Sequence, residues 1–205
     1  MKHIYKMGTK DITLLMLHGT GGNENDLLPI AKLIDPDANV LSVRGNVLEY
    51  GMPRFFKRLA MGVFDMDSLV EETHNLYQFV LNMSKTYGFD MNNLVGIGYS
   101  NGANILLSVL LHYDNPIKLA LLFHPMIPIK DIQINDLSQT DIFITSSIND
   151  PMIPKNDTID LEKMLIDRKA KTKVLNTSSG HELTKEEIIE SKKYYESWLE
   201  NKLYS

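Results

Sequence analysis

Ser100, Asp150 and His181 are the residues of this chain whose types and order could carry out nucleophilic acyl transfer. A free serine hydroxyl is a poor nucleophile and needs a base. A histidine, with an ordinary pKa near ~6.5, can take the proton and later return it to the leaving group. An aspartate can fix the imidazole tautomer and stabilise the imidazolium. Ser100 stands in Gly98-Tyr99-Ser100-Asn101-Gly102, between an apolar run at 93–97 and an apolar, helix-like stretch at 101–113. That is the strand–turn–helix setting of a nucleophile elbow, where the turn is so tight that flanking Cβ atoms would collide with strand and helix. With 12 Gly in 205 residues the pattern arises by chance in roughly one such chain in twenty, so its partners decide its meaning.

The partners are chosen against alternatives. Asp150 precedes Pro151, where aspartate is also an ordinary turn residue. Asp157 and Asp160 read as first-turn helix acids, and Asp141 begins a strand at the wrong end. Among the 6 histidines, His3 and His74 read as exposed and His112 closes the helix after the elbow. His124 follows a strand end but precedes the acid loop, and His18 reads as a residue that holds its own loop. His181 is therefore the expected base and Asp150 its acid. The oxyanion is expected to meet two N–H groups. One is that of Asn101, directly after the nucleophile and at a helix N-terminus. The other is that of Thr20, in the glycine-rich loop His18-Gly19-Thr20-Gly21-Gly22 after a buried strand.

Strands are expected at 3–7, 11–17, 40–43, 93–97, 117–123, 141–146 and 173–176. Helices are expected at 25–33, 67–87, 101–113, 157–168 and 185–202. Such alternation predicts an α/β architecture with a mainly parallel, doubly wound sheet and helices on both faces. Ligands sit beyond the carboxyl ends of its strands, where Ser100, Asp150 and His181 all fall. The stretch 44–66 has no clear period and leaves a strand on that side. It is expected to form a pocket wall, with Arg44 near the polar end and Met52, Phe55 and Phe56 toward substrate. Met152, in the acid loop, joins them as a contact. The competing reading sends both phenylalanines into the core and pairs Arg44 with a surface carboxylate. Arg54 and Arg58 read equally as solvated charges or contacts.

A chain of 205 residues is expected to form a single domain, 1–205, too short for a full cap domain besides. Hydrophobic residues make up 43% and charged residues 23%, as in ordinary globular proteins. The net charge of −5 argues against nucleic-acid partners and offers no basic face to anionic membranes. No apolar run reaches transmembrane length, and the first residues form no signal peptide, so a cytoplasmic location is expected without membrane insertion. With 0 cysteines, disulfides, thiolate metal sites and a cysteine nucleophile are excluded. No metal and no cofactor are expected, because histidines and carboxylates show no ligand spacing. The expected partner is a small-molecule ester, bound by a monomer or a homodimer.

Four motifs in this order are recognisable: Leu17-His18-Gly19-Thr20-Gly21-Gly22, the elbow, Asn149-Asp150-Pro151-Met152-Ile153-Pro154 and Gly180-His181-Glu182-Leu183-Thr184. Together they resemble the bacterial phospholipase/carboxylesterase family, small cap-less α/β-hydrolases that include the acyl-protein thioesterases. Arg44-Gly45-Asn46 and Gly51-Met52-Pro53-Arg54-Phe55-Phe56 are similar to a narrower branch, carboxylesterases induced by hydroquinones and, in one relative, by copper. The resemblance implies an α/β-hydrolase fold and a Ser-His-Asp esterase of small esters, aromatic ones among them. A lysophospholipase or acyl-protein thioesterase is the alternative, weakened because Asn101 stands where the thioesterases commonly carry Gln. A slow small-ligand binding protein on the same fold is the alternative from another class.

Overall fold

Thr13–Leu17 is apolar almost without interruption, and the fold buries every residue of it at the centre of a sheet. The structure is a computed structural model that describes residues 1–154 and 156–203. Its strands are β1 (His3–Lys6), β2 (Thr13–Leu17), β3 (Asn39–Val43), β4 (Val47–Glu49), β5 (Met52–Arg54), β6 (Arg58–Ala60), β7 (Val63–Phe64), β8 (Leu94–Tyr99), β9 (Leu119–Phe123), β10 (Asp141–Ser147) and β11 (Lys171–Thr177). Its helices are α1 (Leu28–Ile34), α2 (Met66–Tyr87), α3 (Asn101–His112), α4 (Asp157–Ile166) and α5 (Lys185–Leu203). Seven strands form one sheet in the order β1-β3-β2-β8-β9-β10-β11, parallel except for β1 against β3.

The period-two alternation of strand side chains divides the core between two faces. Leu14, Met16, Val95, Ile97, Leu119, Leu121 and Phe143 pack with Ala31 and Ile34 of α1 and Tyr195 of α5. Leu15, Leu17, Leu94, Ala120, Leu122, Ile142 and Ile144 pack with α2, α3 and α4, through Leu69, Leu76, Leu106, Leu110, Leu161 and Leu165. Helices thus cover both faces, as the alternation predicted. α3 is buried from Asn101 to Leu111, which explains why its sequence is apolar almost all round.

Two helix starts differ from expectation. Asn25 and Asp26 do not cap α1; the helix begins at Leu28 with a proline in its first turn, and Asp26 instead accepts the Asn23 N–H. The cap of α2 is Asp65, which accepts the Ser68 N–H, two residues before the expected Asp67. At its other end Gly88 takes the left-handed conformation (φ 75°) that closes a helix without a Cβ penalty.

The stretch without a period folds as two small antiparallel hairpins, β4–β5 and β6–β7, rising from the carboxyl edge of the sheet. No cap domain stands above that edge among the described residues. The hairpins turn Leu48, Tyr50, Leu59, Met61 and Val63 outward, with Met52 and Met66 partly exposed beside them.

Candidate active site

β8 ends at Tyr99, and Ser100 opens α3 with φ 51° and ψ −113°, a backbone conformation that non-glycine residues rarely adopt. Two glycines allow it. A Cβ on Gly98 would lie 2.5 Å from the Gly102 carbonyl oxygen, and one on Gly102 would collide with the Leu17 carbonyl. The Ser100 N–H donates to the Phe123 carbonyl at 2.9 Å, tying the turn to β9.

Three loops at the carboxyl edge then meet. Ser100 Oγ lies 2.8 Å from His181 Nε2, and His181 Nδ1 lies 2.7 Å from Asp150 Oδ2. Asp150 Oδ1 accepts the Met152 N–H at 2.8 Å. Burial alone would raise the Asp150 carboxyl, but its hydrogen bonds from His181 and the Met152 N–H hold it below the ordinary range. Tyr99 donates from its hydroxyl to the His181 carbonyl at 2.8 Å, which orients the histidine loop.

The glycine-rich loop carrying Thr20 is held from two sides. His18 donates from Nδ1 to the Gly19 carbonyl at 2.6 Å and accepts the Gly45 N–H on Nε2 at 3.1 Å, the loop-holding part expected of it. Arg54 donates from Nη1 to Thr20 Oγ1 at 2.7 Å and from Nε to the Phe56 carbonyl at 3.2 Å. Arg54 is buried, so the solvated-charge reading fails for it. Asn101 accepts the Phe55 N–H on Oδ1 at 2.7 Å, joining the first hairpin to the start of α3. Arg54→Met is expected to loosen the loop and lower kcat/KM about 10²-fold, the cost of misplacing a reacting centre by about 1 Å. Steady-state kinetics on a short ester, with thermal melting as a control for folding, checks it.

A cavity of about 40 Å³ opens at Ser100, lined by Thr20, Asn101, Met126, Met152 and His181, with Arg54 and Arg58 at its wall. A cleft of about 500 Å³ runs along β10, β11 and α4, but none of Ser100, Asp150 and His181 lines it. Four of the expected substrate contacts lie away from the cavity. Phe55 and Phe56 are wholly buried, Phe55 against the His18 ring (4.8 Å between centroids) and Phe56 edge-on to Phe64 (5.1 Å). The chain turns inward there because Asn101 pins the Phe55 backbone. Arg44 pairs with Glu24, which also meets Lys2. Met52 lies beside Gly21 on the outer side of the loop. The stretch 44–66 does form one wall of the cavity, through Arg54, Arg58, Gly62 and Phe64, but of Arg44, Met52, Phe55, Phe56 and Met152 it is Met152 alone that lines it.

His124, which follows a strand end, does approach the pocket, but its partnership with Asp150 and Glu187 was not readable from the sequence. His124 Nδ1 lies 3.0 Å from Asp150 Oδ2, and its Nε2 lies 2.8 Å from Glu187 Oε1, with all three side chains fully buried. Burial alone would lower the His124 ring, but the two carboxylates raise it. Burial would likewise raise Glu187, but His124 and the Thr184 N–H bring it down to about 2. Chain spacing suggests no metal cluster, yet the fold brings ligand atoms of His124, Asp150 and His181 within 4.8 Å of one another. Both Nδ1 atoms sit against the same Asp150 oxygen, an arrangement that hydrogen bonding already satisfies.

Residues 59–197 match the model of the dienelactone hydrolase family. The chain belongs to that family. It is 47% identical over 195 residues to a Bacillus subtilis (strain 168) protein named as a hydrolase, MhqD, covering 95% of this chain and 98% of the relative. A Bacillus cereus carboxylesterase structure superposes with a TM-score of 0.94 at 46% identity, over 96% of this chain and 93% of that one. Arabidopsis thaliana SOBER1, at 16% identity and a TM-score of 0.80 over 92% and 99% of the two chains, shares the fold. This hydrolase therefore has the cap-less α/β-hydrolase fold and carboxylesterase relatives, as its motifs implied. Among the described residues, no helix of the hydrolase is long and apolar enough to cross a membrane.

Proposed function

We propose that this hydrolase is a serine carboxylesterase of small esters, built as one domain over residues 1–205. The observation that carries the reading is the unbroken contact from Ser100 Oγ to His181 Nε2 (2.8 Å) and from His181 Nδ1 to Asp150 Oδ2 (2.7 Å). His181 takes the Ser100 proton as Oγ attacks the ester carbonyl, and Asp150 stabilises the imidazolium. The tetrahedral oxyanion accepts hydrogen bonds from the N–H groups of Asn101 and Thr20. His181 returns the proton to the leaving alcohol, which departs and leaves an acyl-Ser100 enzyme. Water, deprotonated by His181, then releases the acid and restores the serine.

The cavity of about 40 Å³ favours short acyl groups over the long chains of a lysophospholipase or acyl-protein thioesterase. Met152 contacts the substrate, and small aromatic esters place their ring toward the open mouth. The lack of cysteine suits a reducing compartment, and we assign the enzyme to the cytoplasm.

A fluorophosphonate probe is expected to label Ser100, located by peptide mapping. A panel of esters graded in acyl length is expected to show preference for short acyl groups. Labelling at another residue overturns the nucleophile, and preference for long acyl chains selects the thioesterase reading. One acylation followed by arrest would indicate a binding protein.

A further inference from the structure

His124 follows β9 on left-handed backbone, with φ 52°, and its N–H donates to the Thr145 carbonyl at 3.0 Å. Its ring is flanked by carboxylates on both sides, Asp150 on Nδ1 and Glu187 on Nε2, and none of the three side chains is exposed to solvent. Carboxylates of this kind only accept hydrogen bonds. A neutral imidazole would therefore turn a lone pair toward one of them at a place closed to solvent. The arrangement requires a proton on each nitrogen. The Nε2–Oε1 contact lacks the alignment of a directed hydrogen bond, so it acts through charge. Glu187 is itself fixed by its other oxygen, which accepts both the N–H and the hydroxyl of Thr184 at 2.8 Å.

On the reading of Ser100, Asp150 and His181 given above, we propose that His124 is a positioning residue, an imidazolium held between Asp150 and Glu187 whose charge keeps His181 in its proton-accepting form. The two imidazole rings lie 5.4 Å apart, and both reach the same Asp150 oxygen. A cation at that distance opposes a second cation. An aspartate shared by two rings also binds each less strongly than it would bind one. The groups that face His124 come from four elements. Asp150 follows β10, Glu187 lies in the first turn of α5, His181 follows β11, and Tyr99 ends β8 with its ring 6.2 Å away. Glu182 also acts on His124, but from an exposed position where solvent screens it. The sequence accounts for Glu187 without this part: Thr184 and Glu187 form a reciprocal capping box at α5.

The first measurement needs no variant. Nitrogen-15 NMR of the histidines is expected to show His124 protonated on both nitrogens at pH 7 and above, in the wild type and in Ser100→Ala alike. The second reads the pH profile. In His124→Asn the cation is gone. In Glu187→Gln the ring loses one anionic partner and becomes neutral, keeping its Nδ1 proton on Asp150. In both, the acidic limb of kcat/KM is expected to move to higher pH by about one pH unit. The double variant should show the displacement of Glu187→Gln, since both leave neither the cation nor the Glu187 anion. A neutral His124 ring at pH 7, or an unmoved acidic limb in folded variants with lowered melting temperatures, overturns the proposal. If the variants do not fold, the resonances of the intact protein decide alone. An active Ser100→Ala enzyme would reject the nucleophile assignment instead, and the His124 resonances would still report its charge.

Discussion

Ser100→Ala is expected to abolish nearly all esterase activity, lowering kcat by about five orders of magnitude or more while the protein stays folded. The residue removes only an oxygen from a turn whose geometry depends on Gly98 and Gly102. What survives, about 10³–10⁴ over water, reflects binding and the oxyanion donors. His181→Ala should be as severe, and the double variant no worse than either, because the groups act as a unit. Asp150→Asn should be milder. Asp157→Asn is the control for the acid, since Asp157 is buried but accepts the Ile127 N–H at 2.8 Å and belongs to α4. Single-turnover kinetics with circular dichroism on the purified variants makes the comparison. An Asp157→Asn enzyme more damaged than Asp150→Asn would move the acid elsewhere.

Phe55→Ala and Phe56→Ala are each expected to cost about 3–5 kcal/mol of stability, as buried aromatic truncations do, and to leave the order of preference among esters unchanged. Both side chains have 0% exposure, and the smaller side chain would leave a void between the first hairpin, His18 and Phe64. Urea midpoints and ester-size profiles measured side by side separate core from wall. Met152→Ala supplies the contrast, because that residue does line the cavity. It should shift relative preferences by about 1–3 kcal/mol with little loss of stability. A changed ester profile in Phe55→Ala, with an unchanged midpoint, would restore the aromatic wall.

What was legible in the chain was periodic or local. Apolar runs one strand long and amphipathic stretches one helix long gave the sheet and both helical layers. The elbow was readable because Gly98 and Gly102 are a steric necessity of one turn. The segment 44–66 was opaque because its two hairpins are short and their pairing is set by tertiary contacts. One such contact is the Asn101 side chain on the Phe55 backbone, which nothing near Phe55 announces. Arg54 stayed open between solvated charge and contact for the same reason: its partners, Thr20 and the Phe56 carbonyl, appear only after folding. His124 and Glu187 stand 63 positions apart along the chain and meet through the sheet order, so no spacing rule could pair them.

The outward-turned hairpins have a consequence for oxidative chemistry. Met61 is 72% exposed, Met66 40% and Met52 38%, while Met126 and Met152 line the cavity itself. The chain has 0 cysteines, so an oxidant meets thioethers and no thiol. Peroxide consumes a thiolate nucleophile directly, but a serine hydroxyl passes through such exposure intact. Damage instead takes the form of sulfoxides around the mouth, polar and chiral where the surface had been apolar, and methionine sulfoxide reductases can reverse it.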